Sequence, residues 1–248
     1  MKPRAWEAHE GVYRGMKTRG KRSWNENAGK PAVEPAVKSF LVDALRQSGL
    51  PERGRAIELG CGTAPILRWL ASRGWRGLGV DVSPTALAMA RQLSRGKPLR
   101  FRRGSVTRLE GVRSGSFDLA VDGQCLHCLV KPRDREAFFR EAARVLRPGG
   151  ALLVVTMTAP FLKPEFAKIH SLQRRGVIYH PVGGAERYDG AVTIAGKPHL
   201  PIRFLEPWPR ILKRLRHAGF ETRLFRVVPC RPDDPLTYLS ALALKKTR

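Results

Sequence analysis

Acidic residues are scarce in this chain. Asp and Glu number 21 against 46 Lys and Arg, leaving a formal net charge of +25 at pH 7 over 248 residues. Such a field either attracts polyanions, nucleic acid first among them, or is only a solvated basic surface. The 33 arginines and 13 lysines are scattered and their clusters are short, as in Lys17-Thr-Arg19-Gly-Lys21-Arg22, so charge alone does not choose. Long apolar runs are missing too. No stretch reaches 18 apolar residues, so no membrane-spanning helix is expected. The first ten residues lack the apolar core of a signal peptide, and a cytoplasmic location is the default expectation. Cysteine is limited to Cys61, Cys125, Cys128 and Cys230. Cys125-Leu-His-Cys128 has the spacing of half a zinc site, but no second C-x-x-C or H-x-x-x-H completes it. Reduced thiols and no metal are expected.

What is present centres on Arg55-Ala-Ile-Glu-Leu-Gly-Cys-Gly-Thr-Ala-Pro65. A short apolar run carrying Glu58 leads into Gly60 and Gly62, and then into a helical pattern from Ile66 to Ala71. That order predicts a buried parallel strand, a tight glycine turn and a helix. Glycine lets a ligand approach bare backbone. Asp81 closes a second apolar run, Gly77-Leu-Gly-Val80, where an acid can accept from both ribose hydroxyls of a nucleoside. A dinucleotide site wants G-x-G-x-x-G, and Pro65 occupies the third glycine position, which breaks that fingerprint.

Glu58-x-Gly60-x-Gly62 followed by Asp81 resembles the cofactor motif of the class I (Rossmann-like) methyltransferases, with Ala64 where their third glycine stands. Phe117-Asp118-Leu119 and Arg144-Val-Leu-Arg-Pro-Gly-Gly150 before an apolar strand resemble the same family, and the likeness spans about residues 37 to 157. It implies S-adenosyl-L-methionine as cofactor. It also implies Gly60 and Gly62 against the methionine tail, with Cys61 and Thr63 in the same turn and Glu58 ordering the loop. Asp81 would hold the ribose and Val82 pack on adenine. Ser105, where the family more often has Asp, would accept from the adenine amino group beside Val106, and Asp122 and Gln124 would meet the ammonium. His127 is the nearest candidate base.

Alternating strands and helices predict an α/β fold with a doubly wound, mainly parallel seven-stranded sheet and helices on both faces. Strands are expected at 55–59, 76–80, 99–101, 116–122, 151–157, 221–228 and 236–245. Helices are expected at 36–47, after the glycine turn, after Ser83-Pro84, around 137–145, and from Glu206 to Gly219. Residues 1–36 form a separate N-terminal segment whose Trp6, Tyr13 and Trp24 staple it to the core or make a lid. The methyltransferase domain is expected over 37–248, with a substrate-capping insertion at about 158–206. The (Asp/Asn)-Pro-Pro-(Tyr/Phe) sequence of amino-methylating nucleic-acid enzymes is missing, since Asp122-Gly-Gln-Cys125 stands in its place. A small-molecule acceptor is therefore the first expectation and RNA or other nucleic acid the second. A protein that keeps the cofactor pocket without turnover is the third. The sequence leaves the oligomeric state open.

Overall fold

The computed structural model describes residues 2–27, 33–159, 172–174, 176–229 and 236–247. Strands β1 (Arg55–Leu59), β2 (Arg76–Asp81), β3 (Leu99–Arg103), β4 (Phe117–Gly123), β5 (Leu146–Thr158), β10 (Phe220–Pro229) and β11 (Thr237–Lys245) form one sheet. Their order is β10-β11-β5-β4-β1-β2-β3, and β11 alone runs antiparallel to both neighbours. This is the expected doubly wound sheet. The order reverses between β1 and β4, so the crevice beyond their carboxyl ends is where such folds place a ligand.

The apolar runs explain the middle of the sheet. Ala151 to Val155 are at most 1 % exposed, because both faces of β5 are covered. Helices α6 (Pro132–Val145) and α7 (Trp208–His217) supply Phe138, Phe139, Ala142, Ile211 and Leu215 on one side. On the other side α3 (Pro35–Gln47) and α4 (Pro65–Ala71) supply Phe40, Leu41, Ala44, Leu67 and Leu70. Truncating a side chain such as Leu153 there costs about 2–5 kcal/mol. β5 begins earlier than the sequence pattern suggests. Leu146 pairs with Phe117, the register then breaks across Arg147 to Gly150, and the ladder resumes with Ala151 opposite Leu119. Pro148 has no N–H to continue the pairing.

The insertion has its own sheet, which the proline-rich pattern did not disclose. Strands β6 (Leu172–Arg174), β7 (Val177–Pro181), β8 (Val192–Ile194) and β9 (Lys197–Phe204) pair antiparallel in the order β6-β7-β9-β8. Ile178, Ile202 and Leu205 pack with Met157, Ala159 and Leu236, which anchors this sheet on the ends of β5 and β11. Part of the expected insertion, residues 160–171, lies outside the described residues. Arg135 and Glu206 secure the return to the core. Glu206 accepts both its bonds from Arg214 Nε, at 2.8 and 3.0 Å, and Arg135 Nε lies 3.5 Å from it.

The N-terminal segment is mostly helical. Helix α1 (His9–Thr18) lies on α5 (Pro84–Leu93), and the single turn α2 (Trp24–Asn27) follows it. Ser83 caps α5, accepting the Ala86 N–H at 3.0 Å with Pro84 in the first helical position, as the sequence suggested. The same serine and Thr85 donate their hydroxyls to Glu10 of α1, each at 2.6 Å.

Candidate active site

Three carboxylates at the strand ends reach backbone donors, two of them around the glycine turn. Glu58 is buried under the turn and accepts the Leu67 N–H at 3.1 Å, so it caps α4 from the preceding strand. Ala64, the residue before that helix, has no capping atom and sits at φ +57, ψ +47. A left-handed backbone there suits glycine better than alanine, since a Cβ costs about 1–2 kcal/mol. Asp81 uses both oxygens, accepting Gly62 N–H and Ser83 N–H at 2.8 Å each. Asp122 accepts the Cys125 and Leu126 N–H groups through Oδ1 at 2.7 and 3.0 Å, which closes the short turn at 126–128. Its Oδ2 is buried with no hydrogen-bond partner among the described residues.

Burial makes all three acids weaker. It pushes Glu58 up to about 8 and Asp122 to about 7, and it raises Asp81 against the pull of its backbone donors. At neutral pH Glu58 is mostly protonated until a positive charge arrives beside it.

Above the turn lies a cleft of about 170 Å³. Glu58, Gly60, Cys61, Gly62, Thr63, Asp81, Val82, Ser105, Val106, Gln124 and His127 all line it, so the structure brings together every residue singled out from the sequence except one. Asp122 is fully buried and does not line the cleft. A Cβ on Gly60 would come within 2.5 Å of Cys125 Sγ, and one on Gly62 would collide with the Tyr13 hydroxyl. Gln124 holds φ +78 without being glycine, and its N–H is bonded to Val155 O at 2.8 Å. Strain of that kind gathers at sites that must present a group in one direction.

His127 is anchored to β5 through Nδ1. Its Nδ1 accepts the Met157 N–H at 3.3 Å and lies 3.2 Å from the Thr156 hydroxyl. The ring thus continues the ladder on β5 where β4 has ended. With the Nδ1 lone pair engaged, the neutral ring carries its proton on Nε2, which is then a donor.

Further lining residues come from outside the motifs, among them Trp6, His9 and Tyr13 at the N-terminus and Arg203 on β9. His9 and Tyr13 each meet Trp24 edge-on, with ring centroids 5.7 and 5.9 Å apart. His9 Nδ1 lies 2.8 Å from Trp6 O, and a carbonyl can only accept, so Nδ1 donates and Nε2 keeps its lone pair. Burial, with help from the Arg203 charge, lowers the pKa of His9 and keeps the ring neutral. The aromatic residues were visible in the sequence as a possible lid. Arg203 had no distinguishing mark among 33 arginines.

The two covering pieces meet each other. Asp189 of the insertion bonds Arg4 at 3.0 Å and Lys131 at 2.5 Å, and its N–H donates to Pro3 O.

Residues 57–154 match the family described as a methyltransferase domain. The chain is 30 % identical over 128 residues to the ubiquinone biosynthesis O-methyltransferase of Xanthomonas axonopodis, covering 51 % of each chain. It is 32 % identical over 133 residues to the ribosomal RNA small subunit methyltransferase C of Alcanivorax borkumensis, covering 50 % of this chain and 39 % of that one. The fold resembles an S-adenosylmethionine-dependent methyltransferase of Methanosarcina mazei, with TM-score 0.66 and 21 % identity over 86 % of this chain and 98 % of that one. Residues 57–154 thus form a methyltransferase domain of the S-adenosylmethionine-dependent, class I fold. The chain spans about half the length of the curated relatives it matches. In that domain the turn has no room for a Cβ at Gly60 or Gly62, Asp81 braces it, and Glu58 and Asp122 are buried acids that a nearby cation would ionise. Among the described residues no cluster of three His, Cys, Asp or Glu could hold a metal ion, and no helix is long and apolar enough to cross a membrane.

Proposed function

We propose that this chain transfers the methyl group of S-adenosylmethionine to a nucleophilic atom of a small molecule. The observation that carries the proposal is the roof. The N-terminal segment and the insertion both line the cleft, through Trp6, His9, Tyr13 and Arg203, and they join each other at Asp189. An open groove would suit a polymer better.

The cofactor supplies an already activated methyl group, so the protein's part is alignment and proton management. Gly60 and Gly62 would lie under the methionine tail and Asp81 would accept from the ribose, its oxygens each retaining a lone pair beside their backbone donors. Val82 and Val106 would flank adenine, with Ser105 at its edge. Gln124 would meet the ammonium, and Glu58 and Asp122 would answer its charge from below. His127 would offer an N–H to the acceptor, and His9 is the histidine with a free lone pair to take a proton. In this reading residues 2–27 and the insertion serve as the two halves of the cap, and the enzyme works without a metal.

RNA is the second reading, supported by the +25 charge and by one relative named for ribosomal RNA. A salt series separates the two. RNA binding that merely follows the charge is weak, indifferent to sequence and nearly absent at physiological salt. That is the expected result, together with methyl transfer to small acceptors. Transfer to a defined base at physiological salt would promote RNA. Cofactor binding with no transfer to any acceptor would promote the non-catalytic alternative.

A further inference from the structure

Among the described residues Arg203 is the one Lys or Arg that lines the cleft. Arg4 and Lys131 share Asp189, Arg135 and Arg214 share Glu206, Arg144 has Glu141, and Arg147 has Asp118. Arg203 lines the cleft and is half-buried, yet among the described residues it has no ion pair, and its solvent-shielded Nε has no hydrogen bond.

Its position is not left to a loose loop. It pairs with Ile178 across the insertion sheet. The next residue, Phe204, lies under the Arg135 guanidinium at 4.0 Å. Leu205 is buried with its N–H bonded to Gly176 O at 2.8 Å, and Glu206 is fixed by two arginines. The backbone therefore presents Arg203 to the cleft from a rigid frame.

The acids of the cleft offer it little. Glu58 and Asp81 are committed to the glycine turn through Leu67, Gly62 and Ser83, and the third lining acid, Glu34, stands at the start of α3. Strand β9 instead packs on the 126–128 turn beyond β4 and on the 5–8 turn of the roof. The neighbours at that end are the neutral His9 and the Nε2–H of His127. A partly desolvated guanidinium is costly unless an anion meets it, and its planar fork suits carboxylate and phosphate oxygens.

We propose that Arg203 receives an anionic group, a carboxylate or a phosphate, carried by the methyl acceptor. The proposal rests on the small-molecule reading above, because it takes the acceptor to enter this cleft. A second source of the same chemistry is the carboxylate of the cofactor itself. The insertion argues against that source. Arg203 lies outside residues 57–154, the stretch this chain shares with methyltransferase domains in general, and an acceptor-specific contact belongs in the part that is not shared.

The test uses the full-length protein saturated with S-adenosylhomocysteine, and calorimetry with benzoate, inorganic phosphate and neutral benzamide. At least one anion is expected to bind wild type, with benzamide at least tenfold weaker than benzoate if benzoate is the one bound. Arg203→Gln should weaken the anion at least tenfold, and Arg203→Lys should retain part of the affinity. S-Adenosylhomocysteine affinity should stay within twofold in both variants, which also shows that they fold. Anion affinity unchanged in Arg203→Gln, or no anion binding to wild type, overturns the proposal. So does a tenfold loss of S-adenosylhomocysteine in Arg203→Gln with 5′-methylthioadenosine, which lacks the carboxylate, unaffected. RNA binding at physiological salt that falls in Arg203→Gln would assign the residue to a polymer instead. Failure of the underlying methyltransferase reading is distinct, since wild type would then not bind S-adenosylhomocysteine at all.

Discussion

One oxygen of Asp81 accepts the N–H of Gly62 at 2.8 Å, so the acid at the tip of β2 fixes the turn that follows β1. Its other oxygen holds Ser83 N–H at the start of α5. A single carboxylate thus shapes the cradle and stands ready for the ribose.

Asp81→Ala should therefore do two things. Cofactor affinity falls at least about tenfold, since bonds to a charged acceptor are worth roughly 1.5–3 kcal/mol each. Stability also falls, by about 1–3 kcal/mol, because two buried N–H groups lose their acceptor. Calorimetry with S-adenosylhomocysteine and urea unfolding measure the two effects. Asp81→Asn, which keeps one acceptor oxygen, should recover part of the stability and little of the affinity. Equal affinity in the alanine variant would remove Asp81 from the ribose site.

The raised acids give binding a pH signature. Glu58 titrates near 8 and Asp122 near 7 in the free protein. A cationic ligand favours their ionised forms, so protons leave when S-adenosylmethionine binds. Affinity should rise with pH up to about 8 and then level off. Calorimetry in buffers of different ionisation enthalpy should detect the released protons. The free protein shows the converse. Between the ordinary carboxylate range and pH 8 the folded state holds protons that the unfolded chain has lost, so stability falls as pH rises through that window. A flat affinity from pH 6 to 8 would mean that the cofactor does not reach these acids.

The two histidines should fail differently. His127→Ala leaves the buried Met157 N–H without its acceptor, at a cost of about 1–3 kcal/mol on thermal or urea unfolding. His9→Gln should leave stability within about 1 kcal/mol, since the lost ring still leaves Trp6 O near solvent. It should lower turnover and remove its pH dependence on the acid side of the ordinary histidine range. A His9→Gln enzyme with a wild-type pH–rate profile would rule out His9 as the proton acceptor.

Glu10 ties the roof to the core through Ser83 and Thr85. Glu10→Ala should speed cofactor dissociation and raise protease sensitivity in the first 27 residues, with the core little changed. Stopped-flow release of S-adenosylhomocysteine and limited proteolysis report on each. Unchanged release would place the exit elsewhere.

Much of this was legible locally. The strand–turn–helix at 55–71, the Ser83-Pro84 cap and the run at 151–157 are each specified by neighbours in the chain, so periodicity and turn chemistry reveal them. The family resemblance supplied the cofactor positions, which line the cleft apart from Asp122. That residue reads as a site acid but spends its oxygen on the turn behind it. The insertion sheet was hidden because Pro198 and Pro201 suggested loop, whereas β9 accommodates them within antiparallel pairing and an irregular register with β7. His9 and Arg203 were invisible for a different reason. They reach the cleft from opposite ends of the chain, and no local pattern reports a contact across nearly 200 residues.

The join at Asp189 also has a kinetic meaning. A cover held by ion pairs at the surface has an opening rate, and salt shortens its closed lifetime by screening those pairs. The same salt strips polyanions from the basic exterior. Ionic strength therefore turns two dials together, clearing competitors from the mouth while quickening exchange through it. A bell-shaped salt optimum for turnover, with its rising limb lost when Asp189 is replaced, would be the mark of a gate that the protein's own charge keeps shut.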